Sequence, residues 1–340
     1  MFNPAQSAAL QSIWHGHRST MISVKITDRK VEALDIISLT LASYSDMPLP
    51  LFTAGAHVDV EVKPGLIRQY SLCPNSGNAN DVGQYKIAVL KDATSRGGSI
   101  ALHTVEVGQT LRISAPRNLF PLAPDARRSI LFAGGIGITP ILAMADALSK
   151  HNANFTLHYC ARSPEHMAFR TRLKEGSFAD RICFHYDDGP QDQKLDVEAT
   201  IAAEGPDAHI YVCGPSGFID LVVKTASAHG LPSAHIHREY FAADPASTAA
   251  GSGAFQIKIA SSGQLLTVPE GKTALDILRS SGIDVVSSCE LGVCGACITG
   301  VLEGVPDHRD MCLMASEREA NTSFTPCCSR AHSTMLLLDL

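Results

Sequence analysis

The 340-residue sequence predicts a multidomain protein: an antiparallel β-barrel, then a parallel α/β domain, then a small C-terminal β-domain. Three observations predict it. In the first third, short β-rich segments alternate with Pro, Gly and Asn, and helical periodicity is scarce, as in a small antiparallel barrel. From about residue 128, apolar strands alternate with helical stretches, the pattern of a parallel sheet with crossover helices. Residues 242–254 read Ala-Ala-Asp-Pro-Ala-Ser-Thr-Ala-Ala-Gly-Ser-Gly-Ala, the composition of a flexible tether, and divide off the last segment.

The expected organisation is an N-terminal extension at 1–20, a barrel at 21–123, an α/β domain at 124–241, a linker at 242–254 and a last domain at 255–340. Barrel strands are expected at 23–30, 57–62, 68–72, 84–90 and 110–114. The α/β domain should hold strands at 129–133, 154–161, 181–186 and 209–213, with helices after Pro140, at 165–174 and after Ser216. Beyond the linker, 255–260 and 264–268 read as a hairpin across Ser261-Ser262-Gly263, followed by a helix at 273–280. Residues 1–20 fit either a tail or an upstream start, and nothing in their sequence explains them.

Cys289, Cys294 and Cys297, followed by Cys327, reproduce C-x₄-C-x₂-C with a distant fourth cysteine, the ligand order of a plant-type [2Fe–2S] ferredoxin with its β-grasp fold. Gly292 and Gly295 let the loop fold closely around bridging sulfides and aim N–H groups at them. Zinc is the competing occupant, but its sites usually come as two short Cys/His pairs. Cys327 and Cys328 compete for the fourth place; Cys327 leaves 29 residues after Cys297, the gap expected of such ferredoxins.

Four further motifs lie upstream. Arg68-Gln69-Tyr70-Ser71 runs along a barrel strand; alone, it could be a surface ion-pair residue and core packing. Gly97, Gly98 and Ser99, after Arg96, open a short helical run where free N–H groups favour a phosphate; a plain strand-to-helix turn is the other reading. Gly134, Gly135, Ile136 and Gly137 follow an apolar strand and lead into Thr139, read as an N-cap, and Pro140, read as the first helical residue. Cys213, Gly214 and Pro215 end a later strand of the same sheet, where α/β proteins gather ligands. Cys213 could equally be an inert buried thiol.

In this order the motifs resemble the flavin-dependent ferredoxin reductase superfamily, and within it the phthalate dioxygenase reductase and vanillate demethylase reductase family, over about residues 21–340. The resemblance extends to Cys-Cys-Ser-Arg at 327–330 and the closing Leu-Leu-Leu-Asp-Leu. It implies FMN rather than FAD, held by Arg68, Gln69, Tyr70, Ser71 and the 97–99 turn, with Tyr70 against the ring, Ser71 near its N5, and Ile87, Ala88 and Val89 lining it. It implies a nicotinamide nucleotide at 134–140 and 213–215, with Cys213 beside the reacting carbon and Arg162 and Ser163 near the adenosine ribose. Phe241, in Glu239-Tyr240-Phe241 before the linker, corresponds to the aromatic residue brought to the flavin. Ser71 and Cys213 are the expected catalytic residues.

The implied activity is NADH-dependent reduction, with electrons passing through FMN and the cluster to the Rieske centre of an oxygenase acting on an aromatic acid or similar compound. Arg162 leaves NADPH open. Two other readings stay open: a flavin diaphorase reducing soluble acceptors directly, and an electron carrier with a vestigial nucleotide site.

Bulk properties agree. The chain is 45% hydrophobic, long enough to bury several cores. Its formal net charge of −6 argues against nucleic acid. Residues 255–340 carry ten acidic and six basic residues, an excess of −4 suited to a basic protein partner. No stretch reaches the length of a membrane helix, and 1–20 lack a signal-peptide core, so a monomeric, cytoplasmic protein with reduced thiols is expected.

Overall fold

A computed structural model describes residues 21–45, 47–64, 66–74, 83–92, 95, 97–241, 253–287, 289–313 and 315–340. The expected extension at 1–20, residues 242–252 of the expected linker, and Arg96 lie outside them.

Seven strands build the first unit: β1 Ile22–Ala33, β2 Ile36–Ser43, β3 Ala56–Lys63, β4 Leu66–Cys73, β5 Gln84–Leu90, β6 Thr110–Ile113 and β7 Arg117–Asn118, with helix α1 Gly98–His103 after β5. Their order is β4-β5-β2-β1-β6-β3-β7, and a β3–β4 pairing closes the barrel. Alternation fills the interior: Val24 and Ile26, Leu39 and Leu41, and Val58 and Val60 are fully buried at every second position. The unanticipated β2 is buried at all six residues from Ile36 to Leu41, although Ile37, Leu39 and Leu41 alternate with Ser38 and Thr40 and so carry the two-residue period. Ile37, Leu39 and Leu41 join the barrel core, whereas Ile36 packs into the next unit.

The second unit runs β8 Arg128–Gly134, α2 Ile138–Lys150, β9 Phe155–Ala161, α3 Arg170–Glu175, β10 Ile182–Tyr186, α4 Val197–Ala202, β11 Ala208–Gly214, α5 Ser216–Ala228 and β12 Ile236–Tyr240. All pairings are parallel, in the order β10-β9-β8-β11-β12. Successive strands are added outward on one side of β8 and then on the other, so a crevice opens beyond the ends of β8 and β11.

Two local expectations are corrected. Thr139 is not the N-cap and Pro140 not the first helical residue: Gly135–Gly137 forms a 3-10 turn, Gly137 caps α2, and Thr139 Oγ1 donates to Ile136 O at 3.0 Å. The helix expected at 165–174 is broken, because Phe169 takes a left-handed conformation, φ 59°, between a 3-10 turn at Pro164–His166 and α3.

The third unit contains β13 Phe255–Ile259, β14 Leu265–Val268, α6 Ala274–Ser280, β15 Thr299–Glu303, β16 Pro306–Asp307, α7 Ala315–Ala320, β17 Ser323–Phe324, β18 Arg330–Ala331 and β19 Met335–Leu338. Its main sheet is ordered β14-β13-β19-β15-β17, with β13 parallel to the C-terminal β19. Thr273 and Asp276 form a capping box at the start of α6.

The units share packed surfaces. Ile36, Cys73, Ala88 and Phe120 from the barrel lie in one core with Ile138, Ile141 and Leu142 of α2. Val293 and Met311 of the third unit pack on the core beneath α5 and β12. Among the described residues, no helix is long and apolar enough to cross a membrane.

Candidate active site and cluster loop

Three polar groups from distant parts of the chain meet where the barrel faces the parallel sheet. Ser71, buried on β4, donates its hydroxyl to Glu239 Oε2 at 3.5 Å. On the sheet, Glu239 of β12 stands in register with Cys213 of β11, which pairs in turn with Ala133 of β8. Cys213 is wholly buried; desolvation pushes its thiol pKa well up and the nearby Glu239 carboxylate adds to this, so it is a neutral thiol at physiological pH. Burial raises the Glu239 pKa to about 8, with the Ser71 hydrogen bond opposing it. The junction therefore offers two hydroxyl- or thiol-type groups and a carboxyl that titrates near neutrality.

Backbone shape limits what fills the crevice. A Cβ on Gly137 would run into the Cys213 carbonyl, and one on Gly134 would lie 2.8 Å from Pro215 Cδ. Gly214 is equally confined, since its Cβ would meet Gly134 Cα at 2.9 Å. The turns 134–137 and 213–215 thus nest against each other as only glycines allow. Gly135, φ 53°, faces open space, and Ile136 packs against the shared core. The ends of both turns are bare backbone at the sheet's crevice, which fits a pyrophosphate needing close backbone approach.

On the barrel, β3 and β4 pair with Val60 opposite Arg68, Val58 opposite Tyr70 and His57 opposite Ser71. The Gln69 amide donates to His57 Nε2 at 3.0 Å. Burial, then the Arg117 cation, lowers the His57 pKa to about 4, leaving it a neutral acceptor. Desolvation lifts the Tyr70 phenol to about 12, and Arg68 opposes that rise. Gly97, φ 92°, caps α1, and a Cβ on Gly98 would lie 2.7 Å from Arg68 Cγ, so the Arg68 stem crosses the start of α1. Ser99 Oγ accepts from Asp92 N at 3.2 Å. Ile87, Ala88 and Val89 are buried on β5, with Ile87 paired to Leu72 beside Ser71. An arginine over a glycine turn, beside a strand carrying Tyr70 and Ser71, fits a flavin phosphate and ring.

Arg162 and Ser163 follow β9, away from the Ser71–Cys213 junction in the strand order. Arg162 is exposed, and Ser163 bonds within its own loop to Glu165 Oε2 (2.5 Å) and His166 Nδ1 (2.9 Å). Phe241 lies one residue beyond β12 and is 40% exposed. Sequence reasoning missed Glu239 as a site residue. The local sequence gives little signal, because β12 reads Ile-His-Arg-Glu-Tyr and a carboxylate does not stand out among its polar neighbours.

The cluster cysteines assemble in pairs. Cys297 Sγ and Cys327 Sγ lie 3.3 Å apart. Cys289 and Cys294 bond through their side chains, and this bond, reinforced by backbone N–H groups, lowers the Cys289 pKa to about 6 against desolvation. Leu291 N donates to Cys289 Sγ and Ala296 N to Cys294 Sγ, each at 3.4 Å. Among the described residues, no three ligating side chains surround a single point. Two cysteine pairs, three of their thiols on a loop of inward N–H groups and the fourth at Cys327, suit two bridged irons better than one tetrahedral zinc. Cys328 Sγ contacts Thr325 Oγ1 at 3.4 Å and Ser329 Oγ at 3.8 Å, and it also hydrogen-bonds the Cys327 side chain and lies against Gly292 of the cluster loop, where an added Cβ would run into it.

A flavin-type barrel, a parallel nucleotide sheet and a paired-thiolate β-grasp domain together define an iron–sulfur oxidoreductase. Residues 131–224 match the oxidoreductase NAD-binding domain family and residues 257–332 the 2Fe-2S iron-sulfur cluster binding domain family. The chain is 51% identical over 321 residues to the vanillate O-demethylase oxidoreductase of Pseudomonas sp. (strain HR199 / DSM 7063), covering 94% of this chain and 100% of that protein. It is 38% identical to the phthalate dioxygenase reductase of Burkholderia cepacia, covering 94% and 97%. A solved phthalate dioxygenase reductase, described as a modular structure for electron transfer from pyridine nucleotides to [2Fe-2S], superposes with a TM-score of 0.69 at 36% identity, over 94% of this chain and 98% of that one. The chain belongs to the family of vanillate O-demethylase oxidoreductases and phthalate dioxygenase reductases.

Proposed function

We propose that the chain is the NADH-dependent reductase component of a Rieske-type oxygenase system acting on an aromatic acid, working as a monomer. The observation that carries this reading is the meeting of Ser71, Cys213 and Glu239 between barrel and nucleotide sheet, in a chain that also presents four paired cysteines.

NADH would enter as substrate at the nested turns, where the bare backbone of Gly134–Gly137 and Cys213–Pro215 would approach its pyrophosphate and the buried, neutral Cys213 thiol would underlie the nicotinamide end of the crevice. FMN would be held by Arg68, Tyr70, Ser71 and the 97–99 turn, and the cluster by Cys289, Cys294, Cys297 and Cys327. When bound, FMN accepts two electrons together and releases them singly, and a [2Fe–2S] cluster takes one at a time. The protein's own part is placement and proton handling. Ser71 orients a donor hydroxyl at the junction, Glu239 holds or releases a proton near neutral pH, and the apolar contact of barrel and α2 keeps water out. Packing of the third unit against α5 and β12 keeps the cluster loop close to the nucleotide sheet.

The test is anaerobic titration of the purified protein with NADH. Bleaching of a flavin band, identified as FMN after denaturation, together with a reduced [2Fe–2S] EPR signal supports the reading. FAD on release, or a cluster that NADH never reduces, contradicts it.

A further inference from the structure

A cavity of ≈ 400 Å³ opens between the nucleotide sheet and the cluster domain. Helix α5 and strand β12 line one wall with Asp220, Lys224 and Arg238; the 308–311 segment and α7 line the other with His308, Asp310 and Arg318. The wall is rich in buried nitrogen without a partner. The His308 side chain is only 9% exposed, and among the described residues neither of its ring nitrogens has a hydrogen-bond partner. The Nε atoms of Arg238 and Arg318 are likewise buried and unpartnered. Such groups are rare in folded proteins unless something else satisfies them.

The carboxylates of the cavity answer this demand only in part, through ion pairs that leave the His308 ring nitrogens and both arginine Nε atoms without a hydrogen bond among the described residues. Asp220 Oδ1 accepts the Tyr240 hydroxyl at 2.7 Å. Asp310, completely buried, accepts Leu313 N at 2.8 Å and lies in ion-pair range, 3.7 Å, of His308 Nδ1 and Arg318 Nη2, and Arg318 Nη2 also donates to the Asp310 carbonyl. Arg309 is taken by Asp307 at 2.7 Å. Lys224, Arg238 and Arg318 therefore outnumber the two carboxylates, and N–H donors exceed acceptors.

We propose that this cavity binds a small oxyanion, a phosphate or a carboxylate, which bridges Lys224 and Arg238 of the nucleotide domain to His308 and Arg318 of the cluster domain. The bridge braces a functional junction. Met311 N donates to Gly292 O of the cluster loop at 2.9 Å, and Arg238 Nη2 reaches Leu313 O at 3.4 Å, so the walls of the cavity hold the segment against which the cluster loop rests.

The experiment is calorimetric titration of the flavin- and cluster-loaded protein with inorganic phosphate and, separately, with benzoate. Ionic strength is held constant with sodium chloride, and saturating NAD⁺ blocks the nucleotide turns. Saturable binding of phosphate alone identifies a phosphate source, and binding of benzoate a carboxylate source. Lys224→Gln, an exposed position that leaves folding intact, should weaken the binding about tenfold, and Arg238→Gln should do so at least as strongly. Absence of saturable binding by either anion, or affinities unchanged in both variants, overturns the proposal.

Discussion

The Ser71 hydroxyl reaches the Glu239 carboxylate across 3.5 Å, joining strands 168 residues apart in the chain. Neither residue's environment exists in its own domain. Ser71 is a barrel residue and Glu239 the next-to-last residue of the parallel sheet's edge strand, so the contact records how the two units dock.

That contact predicts a pH signature in stability. Burial raises the Glu239 pKa from 4.5 to about 8, so the folded state binds more protons than the unfolded state between those values. The associated stability is fully present below about pH 4.5 and is lost as pH rises through 8, with a slope of at most about 1.4 kcal/mol per pH unit. In flavin-stripped protein, Glu239→Gln should flatten this component of the denaturation midpoint between pH 5 and 8. Identical pH profiles for variant and parent would show that Glu239 is not desolvated.

Gly137→Ala tests the nested turns. The added Cβ collides with the Cys213 carbonyl, so the two turns must part and the nucleotide loses its close backbone approach. Steady-state kinetics with ferricyanide should show kcat/KM for NADH falling by roughly 10²-fold, with cluster absorption retained. Unchanged kinetics would place the nucleotide elsewhere.

Arg68→Ala should weaken flavin retention by about ten- to a hundredfold, the loss expected for a charge-assisted bond to phosphate. Fluorescence of flavin released on dilution measures it. Retention equal to that of the parent protein would remove Arg68 from the phosphate site.

The fourth cluster ligand can be assigned by paired variants. Cys297 faces Cys327 at 3.3 Å, whereas Cys328 bonds Thr325 and Ser329 as well as Cys327 and lies against Gly292 of the cluster loop. Cys327→Ser should lose the visible absorption of the cluster, and Cys328→Ser should keep it. The reverse pattern would move the ligand to Cys328.

Local signals carried much of this architecture. β5, Gln84–Leu90, lies where its residues suggest, and the C-x₄-C-x₂-C loop is legible because its spacing brings Cys289 to Cys294, while the distant Cys327 completes the second pair with Cys297. Legibility failed where burial comes from another unit. Glu239 acquires its partner only when β4 meets β12, whereas β2, unanticipated, carries a legible alternation of Ile37, Leu39 and Leu41 with Ser38 and Thr40. It failed also at special backbone conformations, as at Phe169 with φ 59° and at the 3-10 turn that moves the cap of α2 from Thr139 to Gly137. Side-chain type does not announce either one.

The most direct test of the electron route is the Cys294→Ser protein, assayed in parallel with NADH and ferricyanide and with NADH and a purified Rieske-type oxygenase of this system. Hydride acceptance uses the barrel and the nucleotide sheet, whereas single-electron delivery to the partner passes through the cluster domain. The variant should reduce ferricyanide at close to the parent rate, show no reduced-cluster EPR signal, and sustain no coupled oxygenase turnover. Coupled turnover at the parent rate without a cluster would mean that electrons leave directly from the flavin, contradicting the proposed route.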